Sequence, residues 1–427
     1  MAPLDWPSYD SYQDSGFEWL DAIPAGWIVK RLKHVTRQVS DKVSSADISL
    51  PYIGMENVES WSGRLVEGGS EVEGLAAKFS AGDVIFGKLR PYLAKAVKLE
   101  FPGMCSTEFI VFRTTPGLEP DFLAYLLRSA QFVSFVDSST YGSKMPRANP
   151  SFIANCPVGL PPPQEQRVIA AFLDEKCAKV DEAVRIKEEQ IALLRERRQI
   201  LIQEAVTRGL NPNVPMKDTG VQWIGRVPEH WQVWKLAHAF PKLGSGTTPD
   251  TGQASFYDGG IAWLQTGDLN DGAATTTAKT VSKLAVRHYP TLKVYPPNSV
   301  VMAMYGATIG KLGILQIAAA TNQACCVLPK SQIVTPEFAF FCLLAMRPYI
   351  LSEAYGGGQP NISQNTVKNF RLPVPSVGEQ REITTFLDCE SERIDKALRI
   401  KLAQITAIKE YKTTLINAAV TGKIKVA

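Results

Sequence analysis

The residues of this chain that could carry catalysis lack the spacing that catalysis requires. Tyr295-Pro-Pro-Asn298 has letters similar to the Asn/Asp-Pro-Pro-aromatic motif with which adenine methyltransferases hold a flipped base, but in the wrong order, and it reads as a turn. Gly244-Ser-Gly-Thr-Thr248 lacks the third glycine of a dinucleotide loop, and no G-x-x-x-x-G-K-[ST] stretch is present to cradle nucleotide phosphates. The 7 cysteines form no C-x-x-C pair and only 4 histidines could supplement them, so a structural zinc site is not expected. Adjacent Cys325 and Cys326 lie in an apolar, strand-like run where buried thiols are expected. No catalytic residue, metal site or cofactor is assigned to this chain.

At 427 residues the sequence is too long for one ordinary core, and two to three domains are expected. Its 45% hydrophobic and 21% charged content is that of a chain folded throughout. A net charge of +4 excludes a uniformly basic coat and leaves room for local basic patches. Met1 to Asp21 carries acids and tryptophans where a signal peptide would carry a basic and then an apolar segment. No apolar stretch reaches bilayer-spanning length. No membrane association is expected, and the expected location is the cytoplasm, with reduced cysteines.

The chain is written twice. Gly16-x-x-Trp19-x-x-x-x-Pro24-x-x-Trp27 recurs as Gly220-x-x-Trp223-x-x-x-x-Pro228-x-x-Trp231, followed by Leu32 and Leu236 at the same offset. Gly82-Asp-Val-Ile85 pairs with Asn298-Ser-Val-Val301, and Tyr141-Gly-x-x-x-Pro146 with Tyr355-Gly-x-x-x-Pro360. In the longest block, Glu165-Gln-Arg167, Phe172-Leu-Asp174 and Ala205-Val-Thr207 return as Glu379-Gln-Arg381, Phe386-Leu-Asp388 and Ala419-Val-Thr421. The ends match while the middles diverge, the second being about ten residues longer. A scaffold kept alike while two working surfaces do different jobs would show this pattern.

Each middle holds short β-branched and aromatic runs separated by Gly, Pro and Asn, among them Val84-Ile-Phe86, Phe109-Ile-Val-Phe112, Ile261-Ala-Trp-Leu264 and Val300-Val-Met302. A helix is expected in each, from Asp121 to Phe135 and from Glu337 to Leu351, after Pro120 and Pro336. Gln164 to Thr207 contains neither Pro nor Gly and predicts one helix of about 65 Å at 1.5 Å per residue. Its seam runs Ala170, Leu173, Cys177, Val180, Val184, Lys187, Ile191, Leu194, Arg198, Leu201 and Ala205. In the second copy Thr384, Leu387, Ser391, Ile394, Leu398, Lys401, Ile405, Ile408, Lys412, Leu415 and Ala419 take these seats, so the basic interruptions coincide. Those side chains are expected to bury their stems and send their charges to water. The fold expected is α+β: two globular domains, residues 1–163 and 211–377, joined by two long antiparallel coiled-coil helices, 164–210 and 378–427. The duplication implies pseudo-twofold symmetry, with a domain near each end of a helical rod.

Over nearly its whole length the sequence resembles the specificity subunits of type I restriction-modification systems. The carriers are Gly220-Val-Gln-Trp-Ile-Gly-Arg-Val-Pro-Glu-His-Trp231 at a domain start, Gly244-Ser-Gly-Thr-Thr-Pro249, Gly82-Asp-Val-Ile-Phe-Gly-Lys-Leu-Arg-Pro-Tyr92, and Pro161-Pro-Pro-Gln-Glu-Gln166 before a long helix. The first copy opens differently, with Phe17-Glu-Trp-Leu-Asp-Ala-Ile-Pro-Ala-Gly-Trp27. The resemblance implies two target-recognition domains, each reading half of an asymmetric bipartite site on double-stranded DNA. It implies that the helices set the spacing and dock two methyltransferase (modification) subunits. S-adenosylmethionine, ATP and Mg would belong to those and to restriction subunits, and this chain would not be catalytic alone. The competing class, a stand-alone sequence-specific nuclease, would need a carboxylate-rich metal site that no spacing reveals.

If DNA is the ligand, Arg and Lys suit guanine edges, Asn and Gln suit adenine edges, and all can hold phosphates. The candidates are Lys88, Arg90, Tyr92, Lys95, Lys144 and Arg147 in the first domain, and Gln265, Tyr305, Lys311, Gln359, Asn361 and Gln364 in the second. The Tyr-Gly loops stand out because they occupy one seat in both copies while Lys144 and Arg147 give way to Gly358 and Asn361. Either the two copies read different half-sites, or Gly and Pro merely shape a turn there.

Overall fold

The computed structural model describes residues 6–44, 50–68, 74–355 and 360–426. The chain forms two compact units. One joins the chain up to Glu188 with the stretch from Leu402 onward, and the other is Glu189–Lys401. The long helices, Pro163–Arg208 and Val377–Val420, are therefore each shared between the units.

In the first unit the β-branched and aromatic runs build two four-stranded sheets. One has the order Thr36–Val39, Phe109–Thr114, Val84–Gly87, Ala96–Lys98, all antiparallel. In the other, Lys42–Ser44, Leu75–Phe79 and Gly103–Ser106 pair antiparallel, and Tyr52–Ile53 adds in parallel. Val84, Ile85 and Phe86 are fully buried, which is why their strand carries no polar alternation. The helix expected from Asp121 to Phe135 is two helices, Pro120–Arg128 and Ala130–Asp137. Ser129 turns extended between them and its hydroxyl donates to the Leu126 carbonyl, while Asn417 accepts from the Gln131 N–H at the second helix's start.

The second unit repeats the plan with a five-stranded sheet, Gly244–Ser245, Cys325–Leu328, Val300–Ala303, Leu312–Leu315, Gly272–Ala274, and a three-stranded one centred on Tyr257–Leu264. Its large helix, Pro336–Ser352, is unbroken and encloses Pro348. Gly246 in the Gly-Ser-Gly-Thr-Thr-Pro stretch permits close backbone approach: a Cβ there would lie 1.7 Å from the Thr321 carbonyl oxygen. Asn298, ending the Tyr-Pro-Pro-Asn run, sits at φ +65° ahead of a strand, the turn its letters predicted.

The repeated motifs act as staples. Ile28–Arg31 pairs with Pro157–Leu160, and Gln232–Lys235 with Arg371–Val374, each closing a domain's two ends just ahead of a long helix. Buried Trp27 donates its indole N–H to Glu165 (3.1 Å), as Trp231 does to Glu379 (3.0 Å). Gln166 accepts from the Glu119 N–H and donates to the Gly117 and Pro161 carbonyls. Gln380 does the same with Thr335, Ile333 and Pro375. Both amides are fully buried and therefore need these partners.

The helices run antiparallel within each unit, seen in the first from Asp181 opposite Lys412 and in the second from Arg198 opposite Asp395. Every seam residue is buried or half-buried. At two basic interruptions the heads meet carboxylates: Lys412 donates to both Asp181 oxygens (2.7 and 2.8 Å), and Arg198 pairs with Asp395. Neither charge is simply released to water. Each core also takes in the end of the other repeat's helix, with Leu415, Ala419 and Val420 beside Trp27, and Ile202, Ala205 and Val206 beside Trp231.

Candidate nucleic-acid interface

Both units carry a seat where the end of a core strand meets the Tyr-Gly loop. In the first unit, the strand Val84–Gly87 runs out into Lys88, Leu89 and Arg90. The Arg90 N–H donates to the Pro146 carbonyl (2.7 Å), and the Ala148 N–H to the Lys88 carbonyl (2.9 Å). Tyr141 and Arg147 exchange both backbone bonds across the loop, at 3.1 and 3.0 Å. In the second unit Gly306 donates to Pro360 (2.9 Å), Ile362 to Met304 (2.9 Å), and Tyr355 and Asn361 exchange bonds at 3.2 and 2.9 Å. Loop and strand are thus tied by the same hydrogen bonds in both copies.

Lys88, Arg90 and Arg147 meet at the first seat through these bonds, with Tyr92 in the turn Pro91–Leu93 that follows Arg90 and Lys144 within the Tyr-Gly loop. Tyr92 and Tyr141 are exposed, and so is Lys144. Arg90 adopts φ +51°, a left-handed conformation that glycine takes without cost and that Gly306 holds in the other copy at φ +66°. Arg147 is fixed by a carboxylate: its Nε and Nη2 donate to Glu108 Oε2 and Oε1, both at 3.1 Å, which stabilises the protonated guanidinium. Lys95 differs from the rest, because its ammonium turns inward to the Met55 carbonyl (2.5 Å) and burial lowers its pKa.

In the second unit Tyr305 and Asn361 meet as a backbone bridge, Tyr305 and Tyr355 are exposed, and exposed Lys311 lies on the turn that follows. Gln364 opens the helix Gln364–Asn369 and reaches the Leu243 carbonyl only at 3.4 Å. Gln265 belongs to the other sheet, following Tyr257–Leu264, and its N–H donates to Asp268 (2.8 Å). Gln359 and Gly358 lie outside the described residues.

Sequence reasoning overlooked Glu108, whose carbonyl also accepts from the Lys88 N–H (2.9 Å). A signal existed: sliding the strand matches forward places Ala324 opposite Glu108, and Ala324 accepts from Met304 in the same way (2.8 Å). An acid standing where the other copy has alanine marks a side chain with a local task. Thr248, whose hydroxyl donates to Gln323 (2.5 Å), is a further polar pair that no spacing indicated.

Among the described residues no group of three or more His, Cys, Asp or Glu suits a metal ion, and no helix is long and apolar enough to cross a membrane. Burial pushes the Cys325 and Cys326 thiols up to about 12, far from a reactive thiolate.

The family model described as the type I restriction modification DNA specificity domain matches this chain twice, at residues 28–194 and 228–407. The chain is similar to the type I restriction enzyme MjaVIII specificity subunit of Methanocaldococcus jannaschii, at 25% identity over 81% of this chain and 77% of that one. It is also similar to the putative MjaX specificity subunit of the same organism, at 23% identity over 97% and 98%. Among solved structures, a chain from work on assembly and conformational transition of the type I R-M system superposes with a TM-score of 0.75 at 21% identity, covering 93% of this chain and 98% of that one. The HsdS subunit of Thermoanaerobacter tengcongensis gives 0.56 at 21% identity, over 94% and 98%. These structural likenesses establish the fold.

Proposed function

The chain belongs to the type I restriction-modification DNA specificity family, and from that premise we propose that its two target-recognition domains each read one half of an asymmetric, bipartite site on double-stranded DNA. As a specificity subunit it is not itself catalytic and works with DNA and the other subunits of its system. The observation that carries the finer reading is the pair of seats: one backbone arrangement, presenting Lys, Arg and Tyr in one copy and Tyr, Asn and Lys in the other. Side chains of these types distinguish base edges in the major groove, and their Lys and Arg members also hold phosphates.

In this reading Lys88, Arg90, Tyr92, Lys144 and Arg147 face the first half-site. Gln265, Tyr305, Lys311, Gln359, Asn361 and Gln364 face the second. Lys95, turned inward, acts from behind the seat. The long helices set the distance between half-sites and carry two modification subunits, which bring S-adenosylmethionine and adenine methylation. Restriction subunits bring ATP-driven translocation and cleavage with Mg. The complex works in the cytoplasm, where the cysteines stay reduced.

The test is co-expression with the modification subunits of the host, followed by genome-wide mapping of methyladenine. The expected result is one bipartite motif, with no methylation by the purified chain alone. A chain that methylates DNA specifically without partners, or a complex that marks a single continuous motif, would overturn the reading.

A further inference from the structure

The two seats differ in one coordinated respect. Where the first has Arg147 paired with Glu108, the second has Asn361 and Ala324 at the equivalent positions, although the four backbone positions make the same hydrogen bonds in both. Guanidinium and carboxylate are present together in one copy and absent together in the other. The Arg147 and Glu108 side chains retain 36% and 26% exposure. A pair this exposed adds little to folding, so stability does not account for it.

Its geometry does. Nε and one N–H of Nη2 are taken by Glu108, and the remaining guanidinium donors, both on Nη1 and the second on Nη2, point away from that carboxylate. No protein partner holds Nη1 among the described residues. Arg147's backbone is pinned to Tyr141, and that of Glu108 to Lys88 and, through its N–H, to the Ser106 hydroxyl (3.2 Å), so both ends of the pair are anchored. A planar fork held in this way presents two parallel donors outward, matched to the two acceptors O6 and N7 of guanine. Asn361, whose copy has Ala324 in place of that carboxylate, offers the donor and acceptor that match adenine N6 and N7.

We propose that Glu108 is a positioning residue that aims the outer edge of Arg147 at a guanine in the first half-site, and that Asn361 in the equivalent seat takes an adenine in the second. The proposal rests on the half-site reading above, and its test separates the two. Wild type, Glu108→Ala, Glu108→Gln, Arg147→Lys and the double variant Glu108→Ala/Arg147→Asn are each expressed with the modification subunits, and their methylated motifs and DNA affinities across salt are measured.

Glu108→Ala and Arg147→Lys are expected to lower discrimination for guanine at one position of the first half by about tenfold. Glu108→Gln, which keeps one acceptor, should retain part of it. The double variant should shift that position toward adenine. The second half-site should stay unchanged throughout, reporting an intact fold. An unchanged first half in Glu108→Ala and in the double variant overturns the proposal. So does a uniform loss of affinity with a shallower salt slope, which would make Arg147 a phosphate contact. A wild-type complex without a bipartite motif overturns both readings.

Discussion

The strand-end seats of the two units share a backbone and differ in nearly every exposed side chain. Arg90 and Gly306 both hold positive φ, and both donate to a proline carbonyl. Tyr141 and Tyr355 both bridge to the residue after that proline. Around this frame Glu108 and Arg147 stand against Ala324 and Asn361, and Lys95 turns inward while Lys311 is exposed. Backbone bonds specify the shape of the seat, which leaves its side chains free to diverge. Duplicated domains can therefore acquire different readings without refolding.

The deepest shared feature gives the largest expected effect. Trp27→Ala and Trp231→Ala each remove a buried indole and one of two partners of a glutamate, Glu165 keeping Tyr9 and Glu379 keeping His230, so each should destabilise its own unit by about 3–5 kcal/mol. Urea denaturation with hydrogen exchange resolved by unit measures this. Equal costs sustain the equivalence of the two frames, and a difference above about 2 kcal/mol would break it.

Next comes the left-handed position. Gly306→Arg should cost about 1–2 kcal/mol. Arg90→Gly should return less than about 1 kcal/mol, because glycine also loosens the unfolded chain. If Arg90→Gly stabilises the first unit yet weakens binding to the first half-site, the strained arginine is kept for its contact. Unchanged stability in both variants would mean the shared φ is incidental.

The helix ion pairs are expected to be weaker. Double-mutant cycles on Lys412–Asp181 and Arg198–Asp395 should each give about 0.2–1 kcal/mol, decreasing with salt. Lys412, at 14% exposure, should show the larger coupling of the two. The reverse order would show that exposure does not rank them.

The smallest effect concerns the paired lysines. Lys311→Ala should reduce the salt slope of DNA binding by about one unit if its exposed ammonium meets a phosphate. Lys95→Ala, whose charge faces the Met55 carbonyl, should leave that slope nearly unchanged. Equal changes would erase this difference between the seats.

Much of this was legible beforehand. The stretch without Pro or Gly marked the first long helix to within a residue at each end, because nothing local interrupts its hydrogen bonds. The four quoted apolar runs all lie in strands. Glu165, Gln166 and Trp27 were visible as repeats, but not as an indole donating to a carboxylate beside a buried amide. Ser129 gave no warning of a break, since its effect depends on a hydroxyl bond and on Asn417 far along the chain. Backbone bonds bring Lys88, Arg90 and Arg147 together in one seat and Tyr305 and Asn361 in the other, while Gln265 follows a strand of the other sheet. Lys95 turns its charge inward to the Met55 carbonyl, and Glu108 lies outside a candidate set made only of Arg, Lys, Asn, Gln and Tyr.

The sequence by itself determined the duplication, the two helices with their seams and the Tyr-Gly loops that share one seat in both copies, since each depends on spacing within a few turns or on direct self-comparison. The tertiary structure alone decided which distant groups meet. It placed the end of each long helix in the core of the other repeat's domain, and Glu108 behind Arg147. Such meetings follow from burying two apolar surfaces against each other and from satisfying the polar groups caught between them, and both depend on the whole packed unit.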